Sequence, residues 1–541
     1  MVKVWRLVAV AFGLTTILLA RRIAPLVRSA HDVACHWNGR PSVLFAPVLI
    51  DEAIWCGLLT LVLLTARRPG RWRVAIWTAI LVFLPWLGGQ DVIALWPKTA
   101  SSGFHFPSIL FGVAAWVLVL LLWRPALLKP TEAVIGFLST VLAFVAISGV
   151  LFTIQLGWSW WGARAMNNPP QLRPARSAEV AANDPHPRVI WIVLDELSYQ
   201  QVYEHRYPGL QLPAFDALAA DSVVFTHAVP AGGFTEKVLP ALITAVPVDN
   251  VSSSASGQLS IHNSATGKWQ RFDQHDTVFQ DAVSDGDEAG VAGWYIPYCR
   301  ILPAVLDHCF WTYDTITNDG AGPYASFASN AIASISSTIG HGVAHRILWR
   351  VLRIPETTLS NKQLHIDDYR RLVTNGDSLL RDRSEGLILL HLPVPHPPPI
   401  FDRATGTLTM GTSSYVNNLA LADAYMAHVR EMLEQSGQWD SSVVVVMGDH
   451  SWRPYLWKPY PGWTAEDERA SGGGKSDPRP FYVVKLAGEH EGARIDAPFR
   501  ALETRSLIDS MLAGRIQTAD ELRAWVGTTV QGRTHGEVTA K

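Results

Sequence analysis

The chain has 541 residues, 48% of them hydrophobic and only 17% charged, and its 45 basic and 47 acidic side chains leave a formal charge of −2. This composition excludes a disordered chain or a collagen-like repeat, and 4 cysteines cannot staple so long a sequence into a disulfide scaffold. With no basic excess to neutralise phosphates, no nucleic-acid partner is expected.

Five apolar stretches come first, at about 4–20, 42–65, 74–96, 108–128 and 133–157. Most approach the ~20 residues that cross a bilayer as a helix. A signal peptide is the alternative for the first, but Arg21-Arg22 stands where a cleavage site needs small residues. Lys3 and Arg6 place the N-terminus inside, and Arg67, Arg68, Arg71 and Arg73 make the second loop cytoplasmic. Arg124 and Lys129 do the same for the fourth loop, while the third has only Lys98. The first loop, with Arg21, Arg22, Arg28 and Arg40, runs against this pattern. Residues 1–161 are thus expected to be a five-span helical domain in the cytoplasmic (inner) membrane, with all that follows extracytoplasmic. Trp158, Trp160 and Trp161 fit an interfacial belt. Asp51 and Glu52, inside the second stretch, are either functional or hydrated near the outer rim.

Residues 162–187, rich in Pro, Ala and Asn, read as a linker. A domain is expected over 188–490, and a C-terminal helical extension and tail over 491–541. The run VIWIVLDE (189–196) has the continuous apolar character of a buried parallel strand, and SVVVVM (442–447) repeats it. Helical patterns at 213–221 and 417–435 alternate with such strands, which implies an α/β domain with a central, mostly parallel sheet and helices on both faces. The Ser/Asn/Gly-rich piece 250–267 reads as a surface insertion, and Cys299 and Cys309 are either a disulfide or two buried thiols.

Ligands bind at the carboxyl ends of strands in such sheets. One strand here runs into Asp195-Glu196 and another into Asp449-His450. Carboxylates with an imidazole suit one divalent metal, zinc or manganese. Between them, GGFTEKVLPALITAVP (232–247) sets Thr235 after two glycines at the start of a helical run. Its hydroxyl is either an N-cap or a metal-activated nucleophile beside a helix N-terminus that attracts anions. In LLHLPVPHPPPIFD (389–402), His391 and His396 can bind an anionic substrate or protonate a leaving group. SGGGKS at 471–476 lacks the first glycine of a phosphate-binding loop, Arg469 standing there, and reads as a surface loop.

These pieces, in order from about 188 to 486, resemble the alkaline phosphatase/sulfatase superfamily. LPAFDALAADSVVFTHAV is similar to its first helix and second strand, and TEKVLPALITAV to its nucleophile turn. YVNNLALADAYMAHVREMLEQSGQWDSSVVVVMGDH, together with the membrane helices, resembles lipoteichoic acid synthases, and the His391/His396 spacing resembles that of phosphoethanolamine transferases. The resemblance implies that Asp195, Thr235, Asp449 and His450 hold the metal, that Thr235 is the nucleophile, and that His396 contacts substrate. Glu196 and Arg453 are further candidates, since the synthases and transferases carry Glu where Asp195 stands. Thr235 replaces the Cys or Ser that sulfatases convert to formylglycine, which argues against sulfate-ester hydrolysis.

The expected function is a membrane-anchored phosphotransferase or phosphodiesterase acting on a membrane lipid or envelope glycan through a phospho-threonine. The alternatives are a sulfatase-family hydrolase of sulfate or phosphate esters, a catalytically silent membrane scaffold, or a transporter.

Overall fold

A computed structural model describes residues 2–28, 35–37, 40–95, 132–168, 170–174, 187–313, 361–459 and 462–536. The chain divides into two compact units.

The first unit contains four described helices: α1 (Val2–Arg28), α2 (Pro41–Thr65), α3 (Arg71–Leu95) and α4 (Glu132–Ala163). They cover four of the five apolar stretches; the fourth, 108–128, lies outside the described residues. Among the described residues, two helical runs are long and apolar enough to cross a bilayer: Pro41–Thr65, with mean hydropathy 1.9, and Glu132–Asn167, with 2.4. The described residues thus hold two candidate spans where five were expected. The first apolar run, Val4–Ala20, is short. The third is diluted by Gly88-Gly89-Gln90-Asp91. Leu61, Phe144 and Leu151 are exposed on the two apolar helices, as side chains facing hydrocarbon would be.

Inside this unit α1 and α4 pack through small residues. A Cβ on Gly13 would lie 2.1 Å from the Leu142 carbonyl oxygen, and one on Gly149 would lie 2.1 Å from Thr16 Oγ1. Asp51 and Glu52 are buried rather than hydrated at a rim. The Thr153 hydroxyl donates to Glu52 at 2.8 Å, which satisfies a carboxylate that water does not reach.

The second unit is built on an eight-stranded sheet. Its strands are β1 (Val189–Leu194), β2 (Val223–Phe225), β3 (Glu288–Trp294), β4 (His308–Thr312), β5 (Glu385–Leu392), β6 (Val443–Met447), β7 (Tyr482–Lys485) and β8 (Ala493–Ile495). Their order across the sheet is β8-β2-β7-β6-β1-β5-β3-β4. The run from β6 to β4 is parallel throughout, and only β7 pairs antiparallel, with β6 and β2.

Every residue of β1 is buried because both faces are covered. Val189, Trp191 and Val193 join one core, with the helices α6 (Thr235–Thr244), α7 (Val278–Asp285) and α10 (Thr504–Leu512). Ile190, Ile192 and Leu194 join the other, with α5 (Pro213–Ala220), α8 (Asn361–Arg381) and α9 (Tyr415–Gln435). This is the expected α/β architecture.

Three details refine the sequence reading. The surface insertion folds as an antiparallel sheet of Val248–Ser253, Leu259–Asn263 and Lys268–Arg271. The boundary drawn at 490 cuts through the main sheet, because Ala493–Ile495 pairs with β2. Cys299 and Cys309 form a disulfide that ties the short helix after β3 to β4.

Candidate metal-dependent active site

Asp195 directly follows β1, and Asp449 lies two residues beyond β6. The two strands are parallel neighbours, with Val193 opposite Met447, so both acids emerge at the same edge of the sheet. Gly448 permits this close approach: a Cβ there would lie 2.3 Å from the Leu197 carbonyl oxygen. On the other side of β1, His391 lies opposite Val193 in β5.

Thr235 is the first residue of α6. Phe234 is the N-cap and makes no side-chain capping bond, so the Thr235 hydroxyl is not used as a cap. It faces the strand ends instead. Thr235 Oγ1 is 2.8 Å from Asp449 Oδ2, 3.1 Å from Asp195 Oδ2 and 3.3 Å from His450 Nε2. His450 Nε2 is itself 3.1 Å from Asp449 and 3.8 Å from Asp195. All four side chains are buried.

The electrostatics of this cluster demand a counter-charge. Burial first, then the charges of Asp449 and Glu196, push the Asp195 carboxyl well above the usual carboxylate range. Burial also acts to raise Asp449, but the groups around it, among them the Thr235 hydroxyl and the Arg453 guanidinium, hold that carboxyl below its ordinary value. Asp195 Oδ1 is buried without a hydrogen-bond partner. Burial lowers the pKa of His450, which keeps it neutral, and its Nδ1 lies 3.2 Å from the Ser451 carbonyl oxygen. A proton on Nδ1 leaves the Nε2 lone pair facing the two carboxylates. Asp195, Asp449 and His450 bring ligand atoms within 4.8 Å of one another. Two carboxylate oxygens, an imidazole nitrogen and a hydroxyl fit a divalent cation such as zinc or manganese.

Glu196 is buried and sits in the left-handed region at φ 65, a strained conformation for a residue with a side chain. The turn lets its N–H donate to Asp449 Oδ1 at 3.1 Å. Its carboxylate is held away from the ligand group, by Arg453 at 2.7 Å and by Trp457 Nε1 at 2.9 Å. Arg453 in turn donates to the Gly233 carbonyl at 2.7 Å and lies over the Phe234 ring, bracing the turn that presents Thr235.

His391 is buried and His396 half-buried, both within the site's electrostatic reach, and both are held neutral. Burial takes His391 down to about 4. For His396, burial followed by Arg453 and His365 takes it well below its ordinary value. His391 Nδ1 contacts the Tyr298 hydroxyl at 3.0 Å, whereas His396 Nδ1 and Trp294 Nε1 are buried and unpartnered, their rings 5.2 Å apart. The His396 backbone N–H donates to the Asp195 carbonyl at 3.0 Å, which fastens the proline-rich loop to the end of β1.

Tyr298, Trp294, His365 and Trp457 were not legible as site residues. Tyr298 could have been suspected from its place just after a strand. Trp457 carries no local signal.

No protein-family profile matches the chain, and no curated protein matches it in sequence. Solved structures do match. Phosphonate monoester hydrolase of Agrobacterium radiobacter is 14% identical, over 60% of this chain and 74% of that one, with a TM-score of 0.38. A protein in the alkaline phosphatase superfamily from Vibrio parahaemolyticus is 12% identical over 65% and 70%, at 0.35. Murine ectonucleotide pyrophosphatase/phosphodiesterase 5, solved with AMP, is 9% identical over 61% and 95%, at 0.33. The structures similar to this chain thus include a member of the alkaline phosphatase superfamily.

Proposed function

We propose that this chain is a membrane-anchored, metal-dependent phosphotransferase or phosphodiesterase that works through a phospho-threonine. The observation that carries the proposal is the placement of the Thr235 hydroxyl within 2.8–3.3 Å of Asp449, Asp195 and His450, at the N-terminus of a helix. An alcohol surrounded by carboxylates and a neutral imidazole is arranged to be deprotonated, not to cap a helix.

Asp195, Thr235, Asp449 and His450 would hold the cation. When bound, it lowers the hydroxyl pKa and neutralises charge on the phosphoryl oxygens. The Thr235 oxygen attacks phosphorus as its proton passes to Asp195 Oδ2, 3.1 Å away, on the carboxyl that burial pushes up and whose Oδ1 is free for the cation. The bond from phosphorus to the leaving ester oxygen breaks, and that oxygen leaves as an alcohol with a proton taken from solvent. The Thr235 and Glu236 N–H groups at the start of α6, and the unpartnered Nδ1 of His396 and Nε1 of Trp294, would receive phosphoryl oxygens. Their neutrality makes His391 and His396 hydrogen-bonding groups rather than cations. An acceptor hydroxyl then attacks phosphorus as its own proton passes to solvent, and the Thr235 oxygen leaves and recovers its proton.

Water as the acceptor gives the second reading, a hydrolase of phosphate esters. Thr235, which cannot become formylglycine, disfavours sulfate esters. Two crossing-competent helices support anchoring, and the disulfide fits an oxidising, extracytoplasmic compartment. A lipid headgroup or envelope glycan phosphodiester is the substrate class that such an anchor keeps within reach. Intact-mass measurement after incubation with lipid phosphodiesters tests the reading. A mass increase on Thr235 equal to the transferred group is expected, and turnover by a folded, metal-loaded Thr235→Ala chain at the wild-type rate would overturn it.

A further inference from the structure

The three parallel strands β3, β4 and β5 begin at the edge of the sheet opposite Thr235. Glu288 opens β3, His308 opens β4 and Glu385 opens β5. Six residue steps of β5 separate Glu385 from His391, about 20 Å at ~3.3 Å per residue. Nothing in the proposed chemistry uses this edge.

Here His308 Nδ1 and Glu385 Oε1 approach to 2.5 Å, although β3 runs between their strands. Gly290 makes the crossing possible. It lies opposite His308 in register, and a Cβ on it would stand 2.9 Å from Glu385 Oε2. Asp382, in the turn before β5, completes a group whose three ligand atoms all lie within 4.8 Å of one another. Its Oδ1 is aligned by the Ser384 N–H at 3.0 Å and hydroxyl at 2.7 Å.

The Glu385 carboxylate is wholly buried, yet its Oε2 has no hydrogen-bond partner. Leaving a buried carboxylate oxygen unpaired is costly. The neighbourhood adds further negative charge from Glu288 and Asp307, against Arg173, which lies 3.5 Å from Asp307, and Arg188, whose charge acts on both Glu385 and Asp382. His308 is half exposed, so the group is open to solvent on one side. One imidazole nitrogen and two carboxylate oxygens with an open side are a donor set for zinc or manganese, and the nitrogen disfavours calcium or magnesium.

We propose that His308, Asp382 and Glu385 form a second divalent-metal site, which clips the edge strand β4 to β5 across β3. The cation takes the place of the direct His308–Glu385 contact and satisfies the buried Oε2.

The test is metal stoichiometry of the full-length chain in detergent, equilibrated with zinc and analysed for bound metal. We expect two zinc ions per wild-type chain, one in His308→Ala, one in Asp449→Ala/His450→Ala, and none in the triple variant. Glu385→Gln keeps the side-chain volume and a hydrogen bond to His308 while removing a charged ligand, so it is expected to weaken zinc binding at this site at least tenfold. It decides the matter if His308→Ala fails to fold. Unchanged zinc content and affinity in a folded His308→Ala or Glu385→Gln chain overturn the proposal and leave only an ion pair. A wild-type count of one that persists in Asp449→Ala/His450→Ala but vanishes in His308→Ala would instead sink the catalytic metal reading and keep this one.

Discussion

Thr235→Ala removes one hydroxyl from the ligand group and leaves the Phe234 cap untouched. Its stability cost should be at most ~1 kcal/mol, the net worth of one hydrogen bond, while turnover of lipid phosphodiesters falls by orders of magnitude. Thermal unfolding alongside steady-state kinetics checks both. Glu196 calls for the opposite pattern. Glu196→Gln keeps the shape but strands the buried Arg453 charge, and such losses run at about 3 kcal/mol or more. Catalysis should weaken because Arg453 no longer braces Gly233, yet bound metal should stay at the wild-type count. A loss of metal in that variant would make Glu196 a ligand after all. Asp195, Asp449 and His450 were legible in the sequence because they stand where an apolar run stops, and Thr235 because it follows two glycines at the start of a helical run. The Glu196–Arg453 pair was legible only as two candidates without a role. Their contact spans 257 positions, and no local pattern encodes it.

Among the elements, α5 shows how the helices are fixed to the sheet. Its N-cap Leu212 offers no side-chain acceptor, and Asp423 from α9 supplies one, taking the Phe215 N–H at 2.9 Å. Burial pushes the Asp423 carboxyl up to about 6, with the Phe215 and Ala214 N–H groups opposing that rise. Its folded pKa lies above the ~3.9 of an unfolded aspartate. The folded chain therefore binds the extra proton between about pH 4 and 6. The contribution from this group is full below about 4 and is lost as pH rises through about 6. Asp423→Asn keeps an acceptor and cannot ionise, so it should be the more stable chain at pH 7 and show a flatter stability profile over that window. Asp423→Ala loses the cap and should cost ~1–2 kcal/mol. Chemical denaturation across pH distinguishes the three chains. The strands β1 and β6 were legible because β-branched runs buried on both faces leave no other reading. By contrast β3, EAGVAGW, is made of small residues and glycines, so its strand character comes from its neighbours. Three-residue β8 is too short to carry a pattern.

For the molecule as a whole, topology is the open prediction. A reporter fused after residue 165 should score as extracytoplasmic if an odd number of segments crosses, as the five-span reading requires. Two crossings alone would return it to the side of the N-terminus, and a cytoplasmic score would place Thr235 on the wrong side of the bilayer for the proposed substrates. Five apolar stretches were legible in composition, but length and hydropathy together select only two helical runs among the described residues. The position of β1 at the centre of the sheet also has a temporal consequence. Its partners begin at Leu387 and Val443, so Val189 waits for chain made about 200 and 250 residues later. Closing loops of that length is slow and entropically costly. During synthesis Asp195 and Thr235 emerge long before Asp449 and His450, and the hydroxyl meets its full set of partners only when β6 docks. The nascent chain is therefore chemically inert, and a product truncated before β6 should be not a weaker enzyme but no enzyme at all.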